Sequence, residues 1–155
     1  MKVKLVVLLL VVAAVVLAGC GGAAVPQPAN ANRPPVPTPS ASSGIVTGQA
    51  LSAGGNTPIT GTPVYLAQIH WDSDHKSAAY VLNMSQSPAT LTDQNGFFVF
   101  TTVPPNEYAL IVGDYDGNSD VVRESNGNAR IYQIEAGKTF DTGQIQVNPI
   151  VQRTK

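Results

Sequence analysis

Charge is scarce in this chain. Only 12% of its 155 residues are Asp, Glu, Lys or Arg, about half of the roughly 25% usual in soluble proteins. Nine basic residues stand against ten acidic ones, a net charge of −1, so there is no basic surplus of the kind that draws a protein to nucleic acid. A single cysteine, Cys20, excludes an internal disulfide framework. No H-E-x-x-H zinc signature occurs, and no catalytic residue is assigned. After residue 20 no stretch sustains a 3.6-residue period, which argues against a helical bundle. The length suits one domain.

What the chain does have begins with an address. Met1-Lys2-Val3-Lys4 is a short basic start, and Leu5 to Ala18 is an unbroken apolar run. Fourteen residues are short for a spanning helix, which needs about 20, and suit the core of a signal peptide. Leu17-Ala18-Gly19-Cys20 follows and resembles the lipobox of bacterial lipoproteins. The resemblance implies cleavage after Gly19 and acylation of Cys20. Residues 1–19 are thus expected to be a lipoprotein signal peptide. One acyl chain binds a membrane only reversibly, whereas two or more hold stably. Loss of Lys2 and Lys4 leaves seven basic residues against ten acidic, a net charge of −3. Gly21, rather than Asp, follows the cysteine, which in a double-membrane host resembles outer-membrane sorting. The expected location is therefore the cell membrane or outer membrane, lipid-anchored, with the domain facing the periplasm or exterior.

Residues 20–43 read as the acylated cysteine and a Pro-rich tether. Gly21 to Ser43 holds six prolines and one charge, Arg33. Without apolar periodicity such a segment cannot bury enough surface to offset its ordering entropy. As extended polyproline II it would reach up to roughly 70 Å.

From Gly44 short alternating stretches appear, separated by turn residues. Eight strands are predicted: 45–51, 62–70, 78–82, 89–92, 97–102, 108–112, 129–134 and 143–147. Val64, Leu66 and Gln68 should share one face of the second, with Tyr65, Ala67 and Ile69 on the other. Phe98 and Phe100 should point together, as should Tyr108, Leu110 and Val112. Asp93-Gln94-Asn95-Gly96 predicts a tight turn in which the glycine takes a positive φ. Regular short strands with Gly and Pro turns indicate a sandwich or small barrel.

Three runs point further: Gly48-Gln49-Ala50 through Pro63-Val64-Tyr65-Leu66, then Thr92-Asp93-Gln94-Asn95-Gly96-Phe97-Phe98-Val99-Phe100, then Val103-Pro104-Pro105-Asn106-Glu107-Tyr108. They resemble the carboxypeptidase regulatory-like domain and are similar to Cna B-type and SdrD B-like repeats. Ile134 to Gly143 looks like that family's closing hairpin. The resemblance covers residues 44–148 and implies an all-β, seven- to eight-stranded prealbumin-like Greek-key sandwich, taken here as the domain 44–150. Some Cna B-type domains carry a Lys–Asn isopeptide bond, but the first strand here has no Lys.

Three clusters carry chemistry. His70-Trp71-Asp72-Ser73-Asp74-His75 holds both histidines and the only tryptophan; it is a polar loop or a set of metal ligands. Trp71 is either exposed, as a stacking surface for a sugar or peptide, or buried as a cap on the sandwich. Asp114, Asp116, Asn118 and Asp120 place oxygen ligands on alternate residues, like the first half of a calcium loop. The sixth and twelfth positions are Ser119 and Ser125 instead of Gly and Glu, so a full loop is excluded. What remains is either a weak, millimolar calcium site or a solvated acidic loop, whose charge Arg123 and Arg130 could neutralise. No cofactor is required. The expected function is a membrane-anchored, non-catalytic binding or assembly module with a protein or carbohydrate ligand. A purely structural envelope lipoprotein is the alternative, and a small lipid-anchored enzyme the remote one.

Overall fold

Alternating apolar side chains leave a chain of this length one way to bury them, which is to pair strands and press two apolar sheet faces together. The computed structural model describes residues 32–116 and 118–148. The signal segment, the lipobox with Cys20, the first part of the tether, Gly117 and residues 149–155 lie outside the described residues. Nine strands occur among the described residues: β1 (Gly44–Ser52), β2 (Pro63–Trp71), β3 (Ala78–Val81), β4 (Ala89–Leu91), β5 (Phe97–Val103), β6 (Asn106–Asp114), β7 (Asn118–Val121), β8 (Ile131–Ile134) and β9 (Thr139–Val147).

The smaller sheet runs β5-β1-β9, with β1 antiparallel to β5 and parallel to β9. The larger sheet is centred on the antiparallel pair β2 and β6. β3 and β4 lie end to end along the free side of β2, at residues 68–71 and 63–65 respectively. β7 and β8 divide the free side of β6 in the same way. Both outer rows of the larger sheet are therefore split, and nine strands fill seven rows, three in one sheet and four in the other. The expected all-β sandwich is what the chain forms. The strand count exceeds the expected seven or eight because β7 was read as part of an acidic loop.

The core lies between the sheets. Val46 and Ala50 of β1, Phe98 and Phe100 of β5, and Ile145 and Val147 of β9 meet Val64 and Leu66 of β2 and Tyr108, Leu110 and Val112 of β6. Each fully buried large side chain contributes roughly 1.5–3 kcal/mol. Phe98 and Phe100 meet edge to face, with ring centroids 6.0 Å apart. Burial pushes the Tyr108 phenol up, and its hydroxyl donates to the carbonyl of Pro104 at 2.9 Å, which closes the β5–β6 turn. The predicted face-sharing of these aromatic and aliphatic positions holds. The turn at 93–96 also forms as expected. The Asp93 carboxylate accepts from the backbone N–H of both Asn95 and Phe97 at 2.8 Å.

One sequence-based expectation needs correction. The segment 134–143 is not a hairpin. β8 pairs with β6 in the larger sheet, while β9 pairs with β1 in the smaller one. The connection Glu135-Ala136-Gly137-Lys138 crosses the sandwich, whose sheets pack about 10 Å apart. That crossing sets Phe140 edge-on against Tyr132, at 5.8 Å between ring centroids. The Pro-rich segment, in turn, is fastened to the domain over its described part. Arg33 forms an ion pair with Asp141 at 2.8 Å and donates to the Thr47 hydroxyl at 3.3 Å. Nearer the domain, the Ser43 N–H donates to the Ser40 carbonyl and the Gly137 N–H to the Ser43 carbonyl. The segment's lone charge fastens its start to Asp141 and Thr47, since a guanidinium gains from a carboxylate where proline has nothing to offer.

Candidate functional site

The site grows out of the alternation in β2. Val64 and Leu66 point into the core, so Tyr65, Ala67, Ile69 and Trp71 point to the opposite, outward face of the larger sheet. On a solvated face these positions would be polar. Here they are aromatic and aliphatic, and neighbouring strands add to them. β6 contributes Glu107, Ala109 and Ile111, with the last two buried. β3 contributes Ala78 and Tyr80, and β8 contributes Ile131.

Of these residues Ile69, Trp71, Ala78, Tyr80 and Ile131, joined by Lys76 and Arg123, line a groove of about 490 Å³. Trp71 and Tyr80 are 39% and 41% exposed, well above what an aromatic residue shows in a core. Trp71 is nonetheless held in place. Its indole N–H donates to the Glu107 carboxylate at 2.5 Å, and its ring stacks on His75 with centroids 6.1 Å apart and planes 21° from parallel. His75 reaches that position by adopting a left-handed backbone, φ 53°, which is uncommon for a residue other than glycine. Asp72 builds the loop that carries it. Its carboxylate accepts from the N–H of Lys76 at 2.8 Å and of Ser77 at 3.1 Å.

The two histidines do not converge. His70 follows the core-side alternation of β2 and lines a separate cleft with Gln68, Asn83, Gln86 and Tyr108, while His75 is beside Trp71 on the other side of the sheet. Asp72 is committed to its turn. The hexapeptide around Trp71 thus splits into an aromatic platform on one face and a lone imidazole on the other. Trp71 lies open on the sheet face and is not buried as a cap on the sandwich.

The acidic residues at 114–120 are also placed differently from a calcium loop. They form a β6–β7 hairpin in which Asp114 opposes Asn118 and Val112 opposes Asp120. A ladder spreads these side chains along two strands, whereas a calcium loop wraps them around a point. Asp120 is already engaged, accepting from the backbone and side-chain amides of Asn148 at 2.9 and 2.8 Å. Among the described residues no group of three or more His, Cys, Asp or Glu is placed to hold a metal ion. The nearby arginines do not neutralise these acids. Arg130 pairs with Glu124 at 2.9 Å, and Arg123 donates to the Gly127 carbonyl.

Sequence reasoning singled out Trp71, gave Arg123 a different role beside the acidic loop, and missed Tyr80, Lys76 and Ile131. The available signal was the outward alternation Tyr65, Ala67, Ile69, Trp71, which is too apolar for an open face. The strand β7 was also signalled, by Asp116-Gly117 between two aliphatic runs, a common hairpin pattern.

No protein-family model matches the chain, and no curated protein matches it. Solved structures of similar shape include the BcpA major pilin subunit of Bacillus cereus (D312A form), at 16% identity and TM-score 0.42, covering 70% of this chain and 30% of that one. A Pseudomonas aeruginosa protein to which carbohydrate binding has been ascribed matches at 18% identity and TM-score 0.43, over 75% of this chain and all of that one. A DUF3823 family protein of Bacteroides uniformis matches at 15% and 0.43, over 73% of this chain and 44% of that one. The chain therefore spans less than half the length of the pilin and of the Bacteroides protein. A likeness of this depth transfers no activity.

Proposed function

We propose that this protein is a non-catalytic binding module, held at a bacterial membrane by a lipid on Cys20 and displayed through a Pro-rich tether, which takes a saccharide on the outward face of its four-row sheet. The observation that carries the reading is the groove around Trp71. Two aromatic rings lie open on a rigid sheet, one of them fixed by a carboxylate and a stacked imidazole. Exposed, pre-positioned aromatic rings offer area at little entropic cost, and their faces suit the C–H surface of a sugar ring. A peptide ligand would more naturally pair with a sheet edge, and this groove lies on a sheet face. The separation of His70 from His75 favours binding over hydrolytic chemistry. The lipid anchor rests on the lipobox, the apolar run and the basic start.

An oligosaccharide and peptide array tests the reading. The protein should retain oligosaccharides, and Trp71→Ala and Tyr80→Ala should each lose that retention without a change in melting temperature. Equal retention by the Trp71→Ala protein would sink the reading.

A further inference from the structure

The groove has a sign. Its lining includes two cations, Lys76 and Arg123, and no carboxylate. They come from different strand connections of the larger sheet, Lys76 from the β2–β3 turn and Arg123 from the segment after β7, and line the groove together with Trp71 and Tyr80. Neither cation is strongly neutralised. Lys76 meets Asp74 only at 3.9 Å, with both side chains open to solvent, and a pair of that kind interacts weakly. Arg123 spends one amine on the Gly127 carbonyl and has no carboxylate partner among the described residues. The acids just outside the lining are each engaged: Glu107 accepts from the Trp71 indole N–H, Asp72 from the Lys76 and Ser77 N–H groups, and Glu124 pairs with Arg130. In a chain with few charges and an acidic excess, both charged residues of the groove lining are cations.

We propose that the ligand is a carboxylate-bearing oligosaccharide, a uronate-type polymer whose ring stacks on Trp71 and Tyr80 while its carboxylates meet Lys76 and Arg123. This rests on the binding reading above and adds the charge of the sugar to it. Arg123 suits a carboxylate through its planar fork of donors, and Lys76 acts as a mobile point charge. Ser77 and Asn128, also in the lining, supply hydrogen-bonding groups for ring hydroxyls. An acidic peptide would satisfy the cations too, but it has no flat C–H face for the aromatic pair.

Trp71 is the only tryptophan, so fluorescence excited selectively in the indole, apart from the five tyrosines, reports on this groove. The full-length protein is titrated with tetramers of galacturonate, glucuronate and mannuronate, with their fully methyl-esterified forms, and with oligoglutamate. The expected result is saturable change with at least one uronate tetramer, at least tenfold weaker binding of its ester, and weakening of the acid's binding by added salt. Arg123→Gln and Lys76→Gln should each weaken the acid at least fivefold and leave the ester unchanged. The Lys76 variant, in a different strand connection, keeps the test decisive if Arg123→Gln disturbs the 123–127 turn. Equal affinity for acid and ester overturns the charge assignment and leaves the saccharide reading intact. Binding of oligoglutamate alone overturns the sugar class. No change at Trp71 with any probe overturns both the proposal and the reading beneath it.

Discussion

Replacing Gly96 by Ala should be one of the most damaging single-methyl additions in the domain. Gly96 has φ +77°, and a Cβ there would lie 2.5 Å from the Ala50 carbonyl oxygen and 3.3 Å from both the Ile59 nitrogen and the Pro58 Cβ. The two nearest of these are backbone atoms, so no side-chain rotation relieves the contact. The turn would have to move away from β1, which breaks the 2.8 Å bond from the Ala50 N–H to the Gly96 carbonyl and strains the neighbouring Gln49-to-Asn95 bond. Gly54 is the matched control. It too has a positive φ, +82°, but nothing lies within 4 Å of an added Cβ. At Gly54 the left-handed strain, about 1–2 kcal/mol, is partly offset by the stiffer unfolded chain, about 0.4–1 kcal/mol, for a net loss near 1 kcal/mol. Gly96→Ala adds overpacking of about 1–3 kcal/mol and a lost hydrogen bond of about 1 kcal/mol, for a total near 4 kcal/mol. At about 4 °C per kcal/mol for a domain of this size, thermal denaturation should show losses of about 4 °C for Gly54→Ala and about 15 °C for Gly96→Ala. Equal losses would refute the argument that the turn is docked against β1.

Three other expectations follow from particular contacts. Arg33→Ala and Asp141→Asn should each lower stability by about 0.2–1 kcal/mol, the range for a solvent-exposed ion pair. The Arg33 hydrogen bond, helped by the Gly143 N–H, holds the Asp141 carboxyl below its ordinary value, so the pair's contribution is present above about pH 4 and disappears as pH falls through the depressed value. Chemical denaturation at pH 7 and pH 2 should therefore separate wild type from Asp141→Asn at the first and not at the second, and a constant difference would contradict the assignment. Cys20→Ser should release the protein from the membrane fraction, and fractionation that leaves the variant with membranes would end the lipoprotein proposal. Glu107→Ala, which removes the acceptor of the indole N–H, should free the indole ring and weaken saccharide binding severalfold while the melting temperature stays within about 2 °C, an effect read by titration beside calorimetry.

Much of the fold was legible because strand alternation is a local signal. Phe98 and Phe100, or Tyr108, Leu110 and Val112, announce a shared face by spacing alone, and Asp93 to Gly96 announces its turn by residue type. The strand partners were not local. Nothing in residues 134–143 says that β8 and β9 belong to different sheets, because that depends on β9 lying parallel to β1 some ninety residues earlier. The hairpin at β7 was obscured because a row of acids suits a calcium loop and an exposed ladder equally well. The groove was half legible. Trp71 stood out as the only tryptophan, but Tyr80, Arg123 and Ile131 join it through pairings across β2, β3, β6 and β8. Arg33 looked like an incidental charge in a tether until its partner Asp141, from the far end of the chain, came beside it.

The central claim is that the outward face of the larger sheet, and no other surface, takes the ligand. Mapping of ¹H–¹⁵N chemical shifts during titration with a uronate oligosaccharide tests it most directly, since the single indole N–H gives a resonance of its own. The account predicts that this resonance and the amides of Ile69, Tyr80, Arg123 and Ile131 shift together and saturate at one concentration. Shifts confined to the Asp114–Asp120 hairpin, to the cleft around His70, or to the 93–96 turn would contradict it.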